Sequence, residues 1–285
     1  MKENIAVLTD TNSGISPELA KALGIYLVPM PVIIDRESYF EGISISQDEF
    51  FRRLGLSAQV SSSQPAPGVL LDCWESLLES YEKVVYLPMS SGLSGACGTA
   101  TMLAQEHDGR VLVVDDRRIS VTLRQSVLKA KRMADLGCDA AQIVAQLEED
   151  GPQSAIYIAV NTLELLKRSG RVTAAGAALS TVLNIKPVLQ IQGSKLDAFK
   201  VSRGMKQAMQ TMTAALKQDQ STRFAGERIG IRAAYSGDKK AGVSWQSVLQ
   251  EAFPELDIGL DPLPLSIACH TGYGALGVGI MKEDI

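Results

Sequence analysis

The sequence predicts an α/β fold: an N-terminal domain with a parallel sheet flanked by helices, then a second, α+β domain. Three observations carry this. Short apolar runs alternate with helical stripes through about residue 150, the pattern of a parallel sheet buried on both faces. A polar, turn-rich segment, Glu148-Glu149-Asp150-Gly151-Pro152, interrupts that pattern and divides the chain into 1–151 and 152–285. Beyond it, two strand-like stretches flank Gly193-Ser194, which reads as a two-residue hairpin turn.

The elements follow in order. Residues 5–8 form a short apolar strand ending at Thr9-Asp10. Ser16-Pro17 reads as an N-cap followed by proline at the first helical position. Residues 25–34 are extended, and Pro29 and Pro31 mark them as an edge or irregular strand. Residues 46–54 predict a short helix, and Leu70, Leu71, Trp74, Leu77 and Leu78 a helical stripe. Buried strands at 84–87 and 111–114 enclose a helix marked by Ala96, Ala100, Leu103 and Ala104. Leu123, Val127, Ala130 and Ala134 give the next helix. In the second half, strands are expected at 155–160, 187–192, 195–201, 228–235 and 277–281. Asn161 reads as an N-cap, Met205, Met209, Met212 and Leu216 as a helical core stripe, and 238–252 as a helix.

Composition narrows the function. Hydrophobic residues make up 46% and charged residues 21%, so the chain can bury a core and is not disordered. No apolar run approaches the ~20 residues of a membrane span. The opening MKENIAVLTD has no hydrophobic leader, which predicts a cytoplasmic protein. A net charge of −4 disfavours nucleic acid and anionic membranes as partners. The four cysteines are scattered without a CxxC pair, and there are only two histidines, so neither a disulfide framework nor a histidine-rich metal site is expected.

The strongest local signal is Leu87-Pro-Met-Ser-Ser-Gly-Leu-Ser-Gly95, directly after a buried strand and opening a helix. Ligands of parallel sheets bind at the carboxyl ends of strands, and a helix start favours an anion. Ser90, Ser91 and Ser94 add hydroxyls, and Gly92 and Gly95 allow close approach. The loop lacks the Gly-Lys-Ser/Thr ending of a P-loop, so a small carboxylate or phosphate suits it better than a nucleotide. A second polar loop is Val60-Ser61-Ser62-Ser63-Gln64-Pro65. A third, Cys269-His270-Thr271-Gly272-Tyr273-Gly274, reads as a glycine-rich turn before the last strand. His107 reads as a surface loop residue, and Asp10 as a helix cap at a strand's carboxyl end. Lys167, Arg168 and Arg171, and Lys200, Arg203 and Lys206, are basic clusters able to form a docking patch.

In order along the chain, these segments resemble the DegV family, bacterial fatty-acid-binding proteins of the EDD fold. Thr9-Asp10-Thr11-Asn12 resembles the family's TDS-like turn, and Ser62-Ser63-Gln64-Pro65 its TSQP loop. Ser90–Gly95 resembles SSGLSG, and LELLKRSGRV (163–172) resembles LxxLKKGGRI. NIKPVL (184–189) is similar to another family signature, and His270-Thr271-Gly272-Tyr273-Gly274-Ala275-Leu276-Gly277 resembles HTGPGxLG. The resemblance implies a DegV/EDD-like pair of α/β domains with a long-chain fatty acid in a deep pocket, its tail reaching into the second domain. It implies that Ser62 and Ser94 hydrogen-bond the carboxylate, that Gly95 offers its backbone N–H and that His270 lies close by. It also implies a separate fatty-acid kinase that phosphorylates the bound acyl group for phospholipid synthesis, with Arg171 and Arg203 serving docking or transfer. No cofactor or metal is implied.

The sequence departs from the family pattern in places: Ser62 stands for the threonine of TSQP and keeps the hydroxyl, and Asp116 stands where a serine usually follows the aspartate. Tyr273 stands for the proline of HTGPG, and Thr122 and Arg124 stand where glycines are usual, which bears on pocket shape and ligand identity. The competing reading is a serine hydrolase with Ser94 as nucleophile, His270 as base and Asp10 or Asp115 as orienter. The chain lacks the Gly-x-Ser-x-Gly elbow that such an enzyme would show. The carrier reading, not an enzyme, is therefore the expectation.

Overall fold

A computed structural model describes residues 4–178, 185–192 and 195–283. β1 (Ile5–Asp10) is buried over its whole length. α1 (Pro17–Leu23), capped by Ser16 with Pro17 at its start, returns the chain to β2 (Ile25–Val28). β3 (Pro31–Ile34), β4 (Glu37–Phe40) and, after α2 (Gln47–Gly55), β5 (Val60–Ser62) form a small antiparallel sheet ordered β4-β3-β5. α3 (Pro67–Leu78), β6 (Lys83–Leu87), α4 (Ala96–Ala104) and β7 (Val111–Val113) complete a parallel sheet ordered β2-β1-β6-β7. α5 (Ser120–Leu136) and α6 (Ala140–Asp150) follow.

Strand periodicity explains why this sheet is covered on both faces. Val7 and Val85 pack toward Leu123 and Val127 of α5 and Ile143 and Leu147 of α6. Their neighbours Ala6, Leu8, Val84 and Tyr86 pack toward Leu70 and Trp74 of α3 and Ala100 of α4.

The second half is built on β8 (Ser154–Ala159), α7 (Glu164–Ser169), α8 (Ala174–Ala178), β9 (Ile185–Ile191) and β10 (Asp197–Arg203). It continues with α9 (Gly204–Ser221), β11 (Ile229–Tyr235), α10 (Lys239–Ala252), β12 (Gly259–Pro262), α11 (Leu265–Thr271) and β13 (Leu276–Lys282). These strands make a six-stranded sheet ordered β10-β9-β8-β13-β11-β12, antiparallel except for β11 with β12. One face packs on α9 and α10 through Met212, Leu216, Trp245 and Leu249, so the methionine stripe is core. The other face turns toward the start of α5 and α7.

The structure corrects several local readings. Residues 25–34 are two strands: β2 is the edge of the parallel sheet, and β3, entered at Pro31, is the centre of the small one. The polar loop at 60–65 begins as strand β5, paired to β3. Within the segment 148–152, Glu148–Asp150 end α6, which Ile143 and Leu147 hold on the core, and the turn starts at Gly151. Asn161 does not cap α7. Its Nδ2 donates to Tyr273 O at 2.9 Å, and Thr162 Oγ1 accepts from Glu164 N–H at 3.2 Å. Cys269 and His270 lie within α11, and the turn starts at Gly272, whose φ of 74° and ψ of −178° glycine alone adopts readily. His107 is half-buried against Trp74, ring centroids 5.3 Å apart. The Gly193-Ser194 turn lies outside the described residues, although β9 and β10 on either side do pair antiparallel.

Candidate ligand-binding site

The loop after β6 is shaped by Ser90, which is buried. Its N–H donates to Arg118 O at 2.8 Å, and its carbonyl accepts from Leu93 and Ser94 N–H at 3.1 Å each. Ser90 Oγ accepts from Gly92 N–H at 3.3 Å, and Ser90 does not line the cavity described below. Ser91 is exposed. Ser94 Oγ accepts from Ala96 N–H at 3.2 Å, which engages one of its two lone pairs and leaves its O–H free to donate. Gly95 is exposed beside it. A Cβ there would reach Gln64 Oε1 at 3.6 Å, and Thr99 Oγ1 donates to that oxygen at 3.2 Å.

β5 carries Ser62 to α11. Ser62 Oγ and His270 Nε2 are 2.8 Å apart. The strand is tied down on either side: Cys269 Sγ donates to Ser61 O at 3.3 Å, and an Arg168 guanidinium N–H to Val60 O at 3.3 Å. Burial, and secondarily the Arg171 guanidinium, push the His270 pKa down to about 4, so the ring is neutral at pH 7. His270 Nδ1 is buried without a hydrogen-bond partner. An orphaned lone pair there is less costly than an orphaned N–H, so Nε2 carries the proton and donates to Ser62. That leaves the Ser62 O–H free to donate elsewhere. Arg171 follows Gly170, the left-handed cap of α7, and its guanidinium N–H donates to Ser169 O.

Ser62, Ser94, Arg171 and His270 line one cavity of about 900 Å³, open solvent at its mouth included. Much of the rest of its wall is apolar, including Ile156 and Ile158 of β8, Ile191 of β9, Val121 of α5, Leu166 of α7 and Leu263. These side chains belong to one packed cluster between the six-stranded sheet and the starts of α5 and α7. Two free hydroxyl donors, a guanidinium and a neutral imidazole meet there beside a long apolar wall. The arrangement suits an amphiphile with an anionic head.

Of the residues singled out from the sequence, Ser62, Ser94, His270 and Arg171 come together on this cavity. Gly95 adjoins it without lining it. Arg203, the last residue of β10, is exposed and does not line it, and its backbone N–H donates to Gln207 Oε1 at 2.5 Å. Asn12, Ser120 and Ser266 were not anticipated as lining residues. Asn12 lies inside the Thr9-Asp10-Thr11-Asn12 turn, and Ser120 two residues before Thr122. Ser266 lies in α11, a helix without a clear sequence signal.

Asp10, fully buried, accepts from Asn12 N–H and Met89 N–H at 2.9 Å each, and Ser266 Oγ donates to Asn12 Oδ1 at 2.6 Å. The end of β1 thereby fastens both the serine loop and α11. Burial raises the Asp10 pKa to about 6 against those N–H donors. Thr122 and Arg124 do not line the cavity. Thr122 Oγ1 donates to Ile119 O at 2.9 Å, and Arg124 reaches Gly14 O at 3.4 Å and sits 4.0 Å from Asp261. Among the described residues no cluster of metal-binding side chains occurs, and no helix is long and apolar enough to cross a membrane.

The profile of a family described as "Uncharacterised protein, DegV family" matches residues 4–283. A DegV domain-containing protein of Deinococcus radiodurans is 32% identical over 278 residues, 97% of this chain and 98% of the relative. A solved structure described as a fatty-acid-binding DegV family protein from Thermus thermophilus superposes with a TM-score of 0.90 at 31% identity, covering 98% of this chain and 100% of that one. The structure of DegV, described as a fatty acid binding protein from Bacillus subtilis, gives 0.87 at 26% identity, covering 99% and 100%.

Proposed function

The chain belongs to the DegV family, and from that premise we propose that it binds a long-chain fatty acid and presents the carboxylate to a separate fatty-acid kinase. The observation that carries the reading is the convergence of Ser62, Ser94, His270 and Arg171 on a cavity with a long apolar wall. The carboxylate accepts from the Ser62 and Ser94 O–H groups and the Gly95 N–H, and Arg171 balances its charge. Donors of this kind are what a buried carboxylate requires. The tail lies against Ile156, Ile158 and Ile191, where each buried CH₂ contributes ~0.8 kcal/mol. We read residues 1–151 as the domain supplying the serine loops and 152–285 as the one supplying tail wall and partner surface, in a cytoplasmic carrier. Arg203, exposed with Lys200 and Lys206 outside the cavity, serves the kinase encounter, and the nucleotide comes with that kinase, because the sequence shows no P-loop.

The hydrolase reading is weaker. Its base would be held by Ser62, not Ser94, and Nδ1 of His270, where a triad carboxylate would sit, has no partner. Mass spectrometry of lipid extracted from the purified protein tests the carrier reading, together with titration of added palmitate. An extract without acyl carboxylate, and no binding on titration, overturns it. Esterase turnover that depends on Ser94 would restore the alternative.

A further inference from the structure

β13 begins just beyond the turn that follows His270 and runs away from it at ~3.3 Å per residue. Along it Leu276, Val278 and Ile280 pack into the core under α9 and α10. The alternate positions, Ala275, Gly277 and Gly279, face the other way, and Ala275 belongs to the cluster around the cavity. Gly277 lies between Ile158 of β8 and Ala234 of β11 in register, and all three line the cavity. A Cβ on Gly277 would meet only ordinary contacts, the nearest at 3.7 Å, and its φ is not in the left-handed region. The glycine is required neither by backbone geometry nor by close packing. What its missing side chain leaves is room in the cavity.

One step deeper, Gly279 is different. A Cβ there would lie 2.6 Å from Val121 Cγ2 and 3.1 Å from Thr122 Cγ2. The start of α5 is seated in this notch, and Val121 also lines the cavity. Its seat is fixed by the Thr122 Oγ1 bond to Ile119 O and by Ser120, which holds a left-handed φ of 55°. An open glycine and a plugged glycine thus follow each other along one strand, with Val121 as the plug.

We propose that this pair gauges acyl-chain length: Gly277 leaves space for the distal part of the tail, and Val121 on Gly279 ends it. The proposal rests on the fatty-acid reading above and names the residues that set its substrate range. Filling Gly277 shortens the longest tail admitted. Trimming Val121 lengthens it. Each methylene denied burial lowers affinity about fourfold, the equivalent of ~0.8 kcal/mol.

The test is the affinity of wild type, Gly277→Val and Val121→Ala for saturated fatty acids of 12 to 20 carbons, with thermal unfolding of each variant alongside. The expected result for Gly277→Val is a fall of tenfold or more in the ratio of C18 to C14 affinity, with C12 affinity nearly unchanged. Val121→Ala is expected to move the ratio of C20 to C16 the other way. Ratios equal to wild type in both variants, or a uniform loss at every length, overturn the gauge. Wild type that binds no fatty acid at any length overturns the carrier reading instead, so the two failures are distinguishable.

Discussion

The wall and the mouth of the cavity are built by different means. The wall comes from regular structure: Ile156 and Ile158 are two residues apart on β8, facing their partners Ile191 and Leu189 on β9 and Gly279 and Gly277 on β13. The mouth comes from loop and helix ends, and its Ser62–His270 contact of 2.8 Å joins residues 208 apart in sequence. Wall residues belong to a core cluster and serve folding and ligand together, whereas mouth residues sit at the ends of elements whose cores lie elsewhere. Substitutions in the two regions should therefore separate stability from binding.

The largest combined effect on stability and binding is expected in the wall. Ile158→Ala removes three carbons from a side chain that is 5% exposed. Core truncations of this kind cost about 2–5 kcal/mol, and the adjoining cavity places this one at about 2–3. Urea unfolding should show that loss, together with weaker fatty-acid binding. A variant as stable as wild type would mean that Ile158 is ligand wall alone and that the comparison is drawn too sharply.

His270 gives the next effect, and it depends on pH. Its pKa of about 4 lies below the ordinary 6.5, so the unfolded chain takes up this proton first as pH falls. Its contribution to stability is full above pH 6.5 and is lost between 6.5 and 4, at 1.36 kcal/mol per unit, about 3 kcal/mol in all. Asp10, at about 6 against 3.8, has the opposite sign: the folded protein takes its proton first, and stability rises as pH falls from 6 to 4. The two nearly cancel in wild type. His270→Gln removes one side of the balance, so the variant should gain stability relative to wild type on going from pH 7.5 to pH 4.5. Parallel denaturation midpoints at the two pH values would show that His270 is not held neutral by burial.

Within the mouth, Ser94→Ala should weaken fatty-acid binding about tenfold to a hundredfold, the 1.5–3 kcal/mol of a hydrogen bond to a charged group. Ser91→Ala should change little, because Ser91 is exposed and does not line the cavity. Neither should shift the unfolding midpoint as Ile158→Ala does. Indistinguishable titrations for the two serine variants would take Ser94 off the carboxylate.

The same contrast explains what was legible in the sequence. Most strands of the two large sheets show as apolar runs, because burial on both faces leaves near-continuous hydrophobic stretches without alternation. β4, β12 and α11 do not show, being short elements with little periodicity of their own. Ser62, Ser94 and His270 stand out through motifs, but their meeting is a tertiary fact. Arg171 reads as a docking or transfer residue from its basic neighbours and from the family resemblance, and only the fold brings it to the cavity. Thr122 and Arg124 looked like changes to the pocket. Their side chains turn instead to the seat of α5 and to Asp261, directions that spacing along the chain does not encode.

The smallest effect on the lipid is expected at Arg203, and that is what makes it informative. Its side chain stands at the exposed end of edge strand β10, outside the cavity, with Lys200 on the same strand and Lys206 in the first turns of α9. Arg203→Ala removes no wall contact and no donor to the carboxylate, so the fatty-acid titration should overlay that of wild type. If the exposed basic edge meets a kinase, acyl-phosphate formation at saturating fatty acid should fall, since a guanidinium pairs in a fork with carboxylates or phosphate oxygens in a way a lysine does not. Arg203→Lys should then recover only part of the rate. Full activity in both variants would place the docking face elsewhere on the molecule. Loss of lipid binding would show instead that β10 belongs functionally to the wall, and the line drawn here between wall and surface would have to move outward by a strand.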